Sequence, residues 1–401
     1  MKHKNVRYGS LLVTTALVLT PFSAWANEIF YANNGSDNTF TATVSGSDNR
    51  IGTDGTDAIT SLQNDFNYNT APTAKSAAVV DIARSYTIET YTESKQIGDG
   101  NSATASQTGS SNWLSFTQGS QGGDDFIYSF GASATDGSGG TNTASDFFND
   151  GNQLLSYLAI ATINATSGNL NSLTTTQDGD LNKMAIYQLG GSNTVRASQT
   201  VDENVARINQ LGEGDNVFGA QNGITNTADV LQSDHGYGRT RFLTYTQNGD
   251  NNISSIYQGD SSYSDTITQY QRGILHQIGN GNEGIISQVN GPGSALIHQV
   301  GNTNKSYIFQ NNSTTGSWAT IRAEGDGNTA NVYQADADGS RAWLVQTGNI
   351  NSIELSQLNV LGNATITQRG HSNFAYVLQT QSSLKVGILQ QGDGGTVNIY
   401  N

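Results

Sequence analysis

The chain has 401 residues, with 33 Asp and Glu against 18 Lys and Arg, so its formal charge is −15 at pH 7. That balance disfavours nucleic acid and anionic membrane surfaces as partners. There is no cysteine to form a disulfide, and a composition of 13% charged and 35% hydrophobic residues with 46 glycines is lean for an enzyme core. Such a chain stays disordered or buries polar side chains in a mutually satisfied way.

Residues 1–26, "MKHKNVRYGSLLVTTALVLTPFSAWA", have the layout of a secretory signal peptide. Lys2, Lys4 and Arg7 precede the apolar run Leu11 to Leu19, and Ala24-Trp25-Ala26 offers small residues for cleavage before Asn27. The run is too short for a membrane span. Cleavage would leave 15 basic against 33 acidic residues, a charge of −18.

Residues 27–95 read as an N-terminal targeting or capping segment with weak echoes of a repeat in "NNGSDN" and "SGSDNR"; "AAVVDIARSYTIETYTESK" suits strand and helix equally. Residues 96–118 are an isolated patch of repeat arms. Residues 119–165, with "GASATDGSGGTNTASDFFNDGNQ", read as a Gly/Ser/Asp-rich loop insertion. From 166 to 401 the repeat runs throughout.

Its period is 11 residues. Gln177, Gln188, Gln199, Gln210, Gln221 and Gln232 are evenly spaced; the phase slips and resumes at Gln247, Gln258 and Gln269, then at Gln277, Gln288, Gln299 and Gln310. Gln334 follows, and then Gln346, Gln357, Gln368, Gln379 and Gln390; Gln96, Gln107 and Gln118 form the early patch. Of 28 glutamines 22 fall on this lattice, which removes coincidence as an explanation. Two residues after Gln comes glycine, at Gly98, Gly109, Gly179, Gly190, Gly249, Gly279, Gly301, Gly348, Gly370 and Gly392. Five after it comes asparagine, at Asn101, Asn112, Asn182, Asn193, Asn252, Asn282, Asn304, Asn351 and Asn373. Nine after it the residue is aliphatic, as at Leu275, Ile286, Ile297, Ile308, Leu344, Ile366 and Ile388.

In an extended chain the fifth, seventh, ninth and eleventh positions share one face. The spacing therefore predicts a strand of about seven residues, Asn-x-apolar-x-apolar-x-Gln, followed by a glycine-containing turn. Two successive arms facing each other bury both stripes, giving an all-β solenoid of 22-residue rungs with two facing parallel sheets in a cross-β-like stack. Stacking sets Gln over Gln and Asn over Asn, so each column of amides satisfies itself. Asp99, Asp178, Asp180, Asp250, Asp326 and Asp393 fall in or beside turns. Lys183, Tyr187, Lys305, Tyr307, Phe374 and Tyr376 take outward slots, and exposed aromatics on a flat sheet suggest lateral contact or adhesion. The phase slips near 235, 270, 315 and 337 are expected to bulge, "SDHGYGRT" among them.

Arms such as "QIGDGNSATASQ", "QDGDLNKMAIYQ", "QNGDNNISSIYQ", "QTGNINSIELSQ" and "QRGHSNFAYVLQ" resemble the curlin repeat of curli-type fibre subunits. The resemblance covers 166–401 and 96–118. It implies export, passage through a dedicated outer-membrane secretion pore, nucleation by a partner subunit, and extracellular polymerisation into amyloid fibres that build biofilm matrix and adhere to abiotic or host surfaces. The chain departs from the pattern in its length, its phase slips, and asparagine in both arms where curlin alternates serine and asparagine.

No grouping of residues points to catalysis, a cofactor or a metal. His276 and His298 are 22 residues apart and are expected on one outer column, where surface imidazoles explain them better than a metal pair. The C-terminal arm "QQGDGGTVNIYN" keeps its strand pattern to the end, without a capping sequence. The reading is a secreted structural protein that polymerises by templated β-addition, with a monomeric capped solenoid adhesin or glycan-binding protein as the alternative.

Overall fold

The computed structural model describes residues 27–52, 94–119, 169–233, 241–259, 271–289, 293–311, 317–335, 339–358, 361–380 and 385–400, together with the backbone of six further strands. Those six are Ala16–Leu19, Phe66–Asn69, Val79–Tyr86, Asp125–Thr135, Thr141–Asn142 and Ala159–Asn164.

Strands alternate between two parallel sheets, one of 13 strands and one of 15. Each rung is one strand from each sheet. The rung of Ser172–Asp178 and Lys183–Leu189 is typical, and eleven regular rungs run from Ser102–Ser110 to Thr396–Tyr400. This is a β-solenoid with 22 residues in an uninterrupted rung: Gln177 stacks on Gln199, and Gln188 on Gln210. Where the phase slips the register recovers, so Gln221 still pairs with Gln247 across a spacing of 26.

The core lies between the sheets. Leu173, Val195, Val217, Leu243, Leu275 and Ile297 from the first sheet meet Ile186, Ile208, Val230, Ile256 and Ile286 from the second, all buried. Alternation along each seven-residue strand delivers these residues to one face. Volumes are matched between rungs: Gly219 pairs with Tyr245, whose buried ring occupies the space a side chain at 219 would need.

The first two stretches of the solenoid correct the expected boundaries. Residues 27–52 are not a separate segment: Thr39–Ser47 pairs with Ser102–Ser110, with Val44 in the slot held by glutamine elsewhere. Nor are residues 96–118 isolated, since they stack directly on 172–189. Arg50–Ile51 and Ser94–Ile97 together fill one strand position beside Trp113–Gln118, so residues 53–93 interrupt a single strand. Ala16–Leu19, inside the expected signal peptide, pairs parallel with Thr41 to Val44 at the first sheet's edge.

A second unit comprises 57–90 and 124–164. Its antiparallel sheet runs in the order Thr141–Asn142, Asp125–Thr135, Val79–Tyr86, Phe66–Asn69, with Ala159–Asn164 also pairing Asp125–Thr135. The region expected to be a loop thus contributes three strands, and Val79–Tyr86, within the segment left open between strand and helix, is strand. Residues 234–240, which hold most of "SDHGYGRT", and the slips at 260–270, 312–316 and 336–338 lie outside the described residues.

Candidate functional site

Two columns of glutamine run through the buried interior. In the second sheet Gln96, Gln118, Gln188, Gln210, Gln232, Gln258, Gln288, Gln310, Gln334, Gln357 and Gln379 form one unbroken ladder. Each Nε2 donates to the next Oε1, at 2.8 Å from Gln258 to Gln288 and 2.7 Å from Gln357 to Gln379. The Tyr31 hydroxyl donates to Gln96 Oε1 and closes the acceptor end. In the first sheet Gln107, Gln177, Gln199, Gln221, Gln247, Gln277 and Gln299 form a ladder. Gln346, Gln368 and Gln390 form another, and Ala323 sits between the two runs. The Oε1 atoms of Gln107 and Gln346, first in each run, accept no hydrogen bond among the described residues. Their predecessors in the column are Val44 and Ala323, which have nothing to donate.

The second amide proton reaches across the core. Gln177 Nε2 donates to Trp113 O at 3.0 Å, Gln199 to Lys183 O at 2.9 Å, and Gln368 to Ser352 O at 3.0 Å. Glutamines that make both bonds, such as Gln177, Gln199 and Gln368, join a rung to the next and one sheet to the other, satisfying both donors of a fully buried amide.

Asparagine does the corresponding work in the turns. At the start of the second sheet's strands, each asparagine from Asn27 through Asn49, Asn112, Asn182, Asn204, Asn226, Asn252, Asn282, Asn304, Asn328 and Asn351 to Asn373 accepts the next backbone N–H on Oδ1. Gly395 N–H closes the series. The side-chain amides donate onward to the next turn, as Asn252 does to Gly279 O at 2.7 Å. At the start of the first sheet's strands the series Asn38, Asn101, Asn171, Asn193 passes to Asp215 and then Arg241. Asp215 and Arg241 are a fully buried ion pair at 3.5 Å, and Arg241 Nε also donates to Gln271 Oε1 at 3.0 Å.

The turn glycines Gly179, Gly190, Gly249, Gly279, Gly301, Gly348, Gly370 and Gly392 all have positive φ. At Gly249, with φ of 115°, a Cβ would also stand 2.3 Å from the Gly279 carbonyl oxygen of the next rung. Glycine is therefore required by backbone angle and by stacking distance together. Two positions on, the chain is left-handed again, at Leu181, Thr225, Asn251, Thr303 and Ile350. Sequence reasoning missed this second left-handed site; its signal was glycine in the same slot at Gly100, Gly214, Gly281, Gly327 and Gly394. The turn carboxylates are also built in: Asp180 N–H donates to Asp202 Oδ1 at 2.8 Å, and Ile224 N–H to Asp250 Oδ1 at 2.8 Å. Asp99 is held below the usual carboxylate range by the Ser36 hydroxyl and backbone N–H.

The two outer faces differ sharply. On the second sheet one outward column, Ser115, Ala185, Arg207, Asp229, Ser255, Ile285, Tyr307, Asn331 and Glu354, is buried throughout. Arg207 and Asp229 pair within it at 3.7 Å. Tyr307, expected to be exposed, belongs to this column, while Tyr187, Phe374 and Tyr376 are half-buried and Lys183 and Lys305 exposed. Among the described residues the exposed aromatics lie on the first sheet, at Phe218, Phe242, Trp318 and Trp343, apart from Tyr400 in the second sheet's last strand. His276 and His298 are adjacent on that face, with their Nδ1 atoms 3.0 Å apart. Among the described residues they join no group of three metal-ligating side chains.

No protein-family model matches this chain, and no curated protein matches it either.

Proposed function

We propose that the protein is a secreted, curlin-like fibre subunit, its signal peptide removed and its chain passed through an outer-membrane pore, which polymerises outside the cell into matrix-building, surface-adhering fibres. A partner subunit nucleates growth. The role is structural, with no catalytic chemistry and no cofactor. One observation carries the reading: in the second sheet the same glutamine and asparagine bonds run unbroken from Gln96 to Gln379 and from Asn49 to Asn373, so a rung is a template for another. The last described rung also presents this template to open space. A Cβ at Gly370 would meet Gly392 O at 2.1 Å, whereas one at Gly392 would meet nothing within 4 Å. Strand addition at that edge supplies the missing neighbour.

The test exploits this difference. Gly392→Ala leaves the monomer folded but sets a methyl group where the next rung's carbonyl must lie, so thioflavin-detected growth from wild-type seeds should stop. Wild-type growth rates in this variant, or a wild-type protein that stays monomeric for days at micromolar concentration, would refute the proposal.

The second reading, a monomeric solenoid adhesin or glycan-binding protein, draws on the N-terminal end. There Tyr31 and Val44 end the glutamine ladders, and Tyr31, Phe40 and Phe116 pack with ring centroids 4.6 and 5.5 Å apart. An end closed by aromatic rings is a poorer template than an amide ladder.

A further inference from the structure

The exposed face of the first sheet is not uniform. Its early rungs carry hydroxyls, Ser102, Thr104, Ser172 and Thr174. Between Phe242 and Val345 the same columns carry large aromatic and cationic groups. Phe242, Arg272, Ser294, Trp318 and Arg341 follow one another in one column, and Trp343 stands in the next. Trp318 is 56% exposed and Trp343 54%, on neighbouring rungs and offset by two residues along the strand. The Arg341 guanidinium lies 6.0 Å from the Trp318 ring centroid. Arg272 and Arg341 make no ion pair among the described residues; Arg322 pairs with Glu324 at the rim. In a chain of charge −15 this stretch of face carries three arginines and one carboxylate.

Exposed indoles on a rigid, flat sheet have a large stabilising contact available, of which Arg341 uses only part at Trp318. We infer that this face binds an anionic polysaccharide: the indoles of Trp318 and Trp343 stack on the apolar faces of sugar rings, and Arg272 and Arg341 pair with the sugar carboxylates. Charge complementarity selects an acidic glycan over a neutral one. A nucleic acid is also a polyanion with stacking rings, and the single-stranded DNA arm of the experiment separates it from the glycan. The rungs fix the backbone positions of these groups in columns, so binding orders side chains but not the chain. The site lies on the side of the solenoid and does not rest on the assembly reading.

The experiment immobilises the full-length mature chain and measures binding of polygalacturonate, neutral dextran of matched length, and single-stranded DNA. The expected order is polygalacturonate well above both others. The variant Trp318→Ala/Trp343→Ala should lose at least tenfold in affinity at all salt concentrations, and Arg272→Ser/Arg341→Ser should lose tenfold at low salt and less at high salt. Trp318→Phe/Trp343→Phe, which keeps flat rings, should recover most of the loss, and circular dichroism should be unchanged in all three. Equal binding by wild type and both loss variants, DNA binding as tight as polygalacturonate, or lateral bundling of fibres lost in the tryptophan variant without any glycan binding would each overturn the inference. A chain that binds polygalacturonate in this pattern yet never polymerises upholds the site and sinks only the assembly reading.

Discussion

The two connections of each rung obey different rules. From Ser172–Asp178 onward, the turn from first sheet to second is four residues long in all ten rungs, while the returns range from three residues (290–292) to twelve (260–271). Every phase slip in the glutamine lattice from Gln177 onward falls in a return. The difference follows from what each connection carries. The fixed turn holds the unbroken asparagine series, a left-handed first residue that is glycine in every turn but the one Val201 begins, and a second left-handed residue, so an added residue would disturb all three against both neighbouring rungs. In the returns the asparagine series gives way at Asp215 and then at Arg241, the last residue of the first lengthened connection, 234–241. Beyond that point length is free, because enlarging a loop costs only fractions of a kcal/mol.

The largest test of this contrast inserts the same Ser-Gly-Ser-Gly segment in both places. Between Gly249 and Asp250 it displaces Asn252 from Asn226, Asn282 and Gly279, and with each stranded buried group costing about 1–3 kcal/mol the loss should be on the order of 5 kcal/mol in urea denaturation. In the 260–271 return it should cost less than about 1 kcal/mol. Comparable losses at both sites would dissolve the distinction.

A smaller effect separates backbone angle from stacking. Gly249→Ala suffers both and should lose about 3 kcal/mol, whereas in the monomer Gly392→Ala suffers only the angle and should lose about 1 kcal/mol. Ala323→Gln should join the two runs of the first sheet's ladder, giving Gln346 Oε1 a donor and raising stability by about 1 kcal/mol, read as a higher denaturation midpoint. A lowered midpoint would show that the space at 323 does not admit the amide.

The outer faces supply the last prediction. Partial burial, then the charges of His276 and Arg322, hold the His298 imidazole below its usual value, with Glu324 opposing. Below about pH 6.5 the unfolded chain therefore takes up a proton more readily than the folded one, and stability should fall as pH drops from there through the folded-state value. His298→Asn should flatten that slope. An NMR titration placing His298 at or above the usual value would contradict it.

Much of this was legible in the sequence because stacked identical residues leave a periodic trace. All lattice glutamines except Gln269, which lies outside the described residues, stand in the two columns. The first rung was hidden because Val44 occupies the glutamine slot, so only its turns echoed the pattern. The antiparallel unit was hidden because its strands come from two separated segments with no shared period. Period-two parity assigned residues inward or outward but carries no information on which outer face meets solvent, which is why Tyr307, rightly assigned outward, was expected exposed, and why Trp318 and Trp343 went unnoticed. The buried pair Asp215–Arg241 broke a column that only a three-dimensional register reveals.

The central claim is that rungs stack from molecule to molecule as they stack within one. Helical reconstruction of assembled fibres tests it most directly. Twelve rungs per subunit from Thr39–Ser47 onward, at ~4.8 Å each, predict a rise of roughly 58 Å per subunit, with strand spacing continuous across the junction. Finite solenoids joined side by side, with the strand stack interrupted or turned away from the fibre axis, would contradict the account.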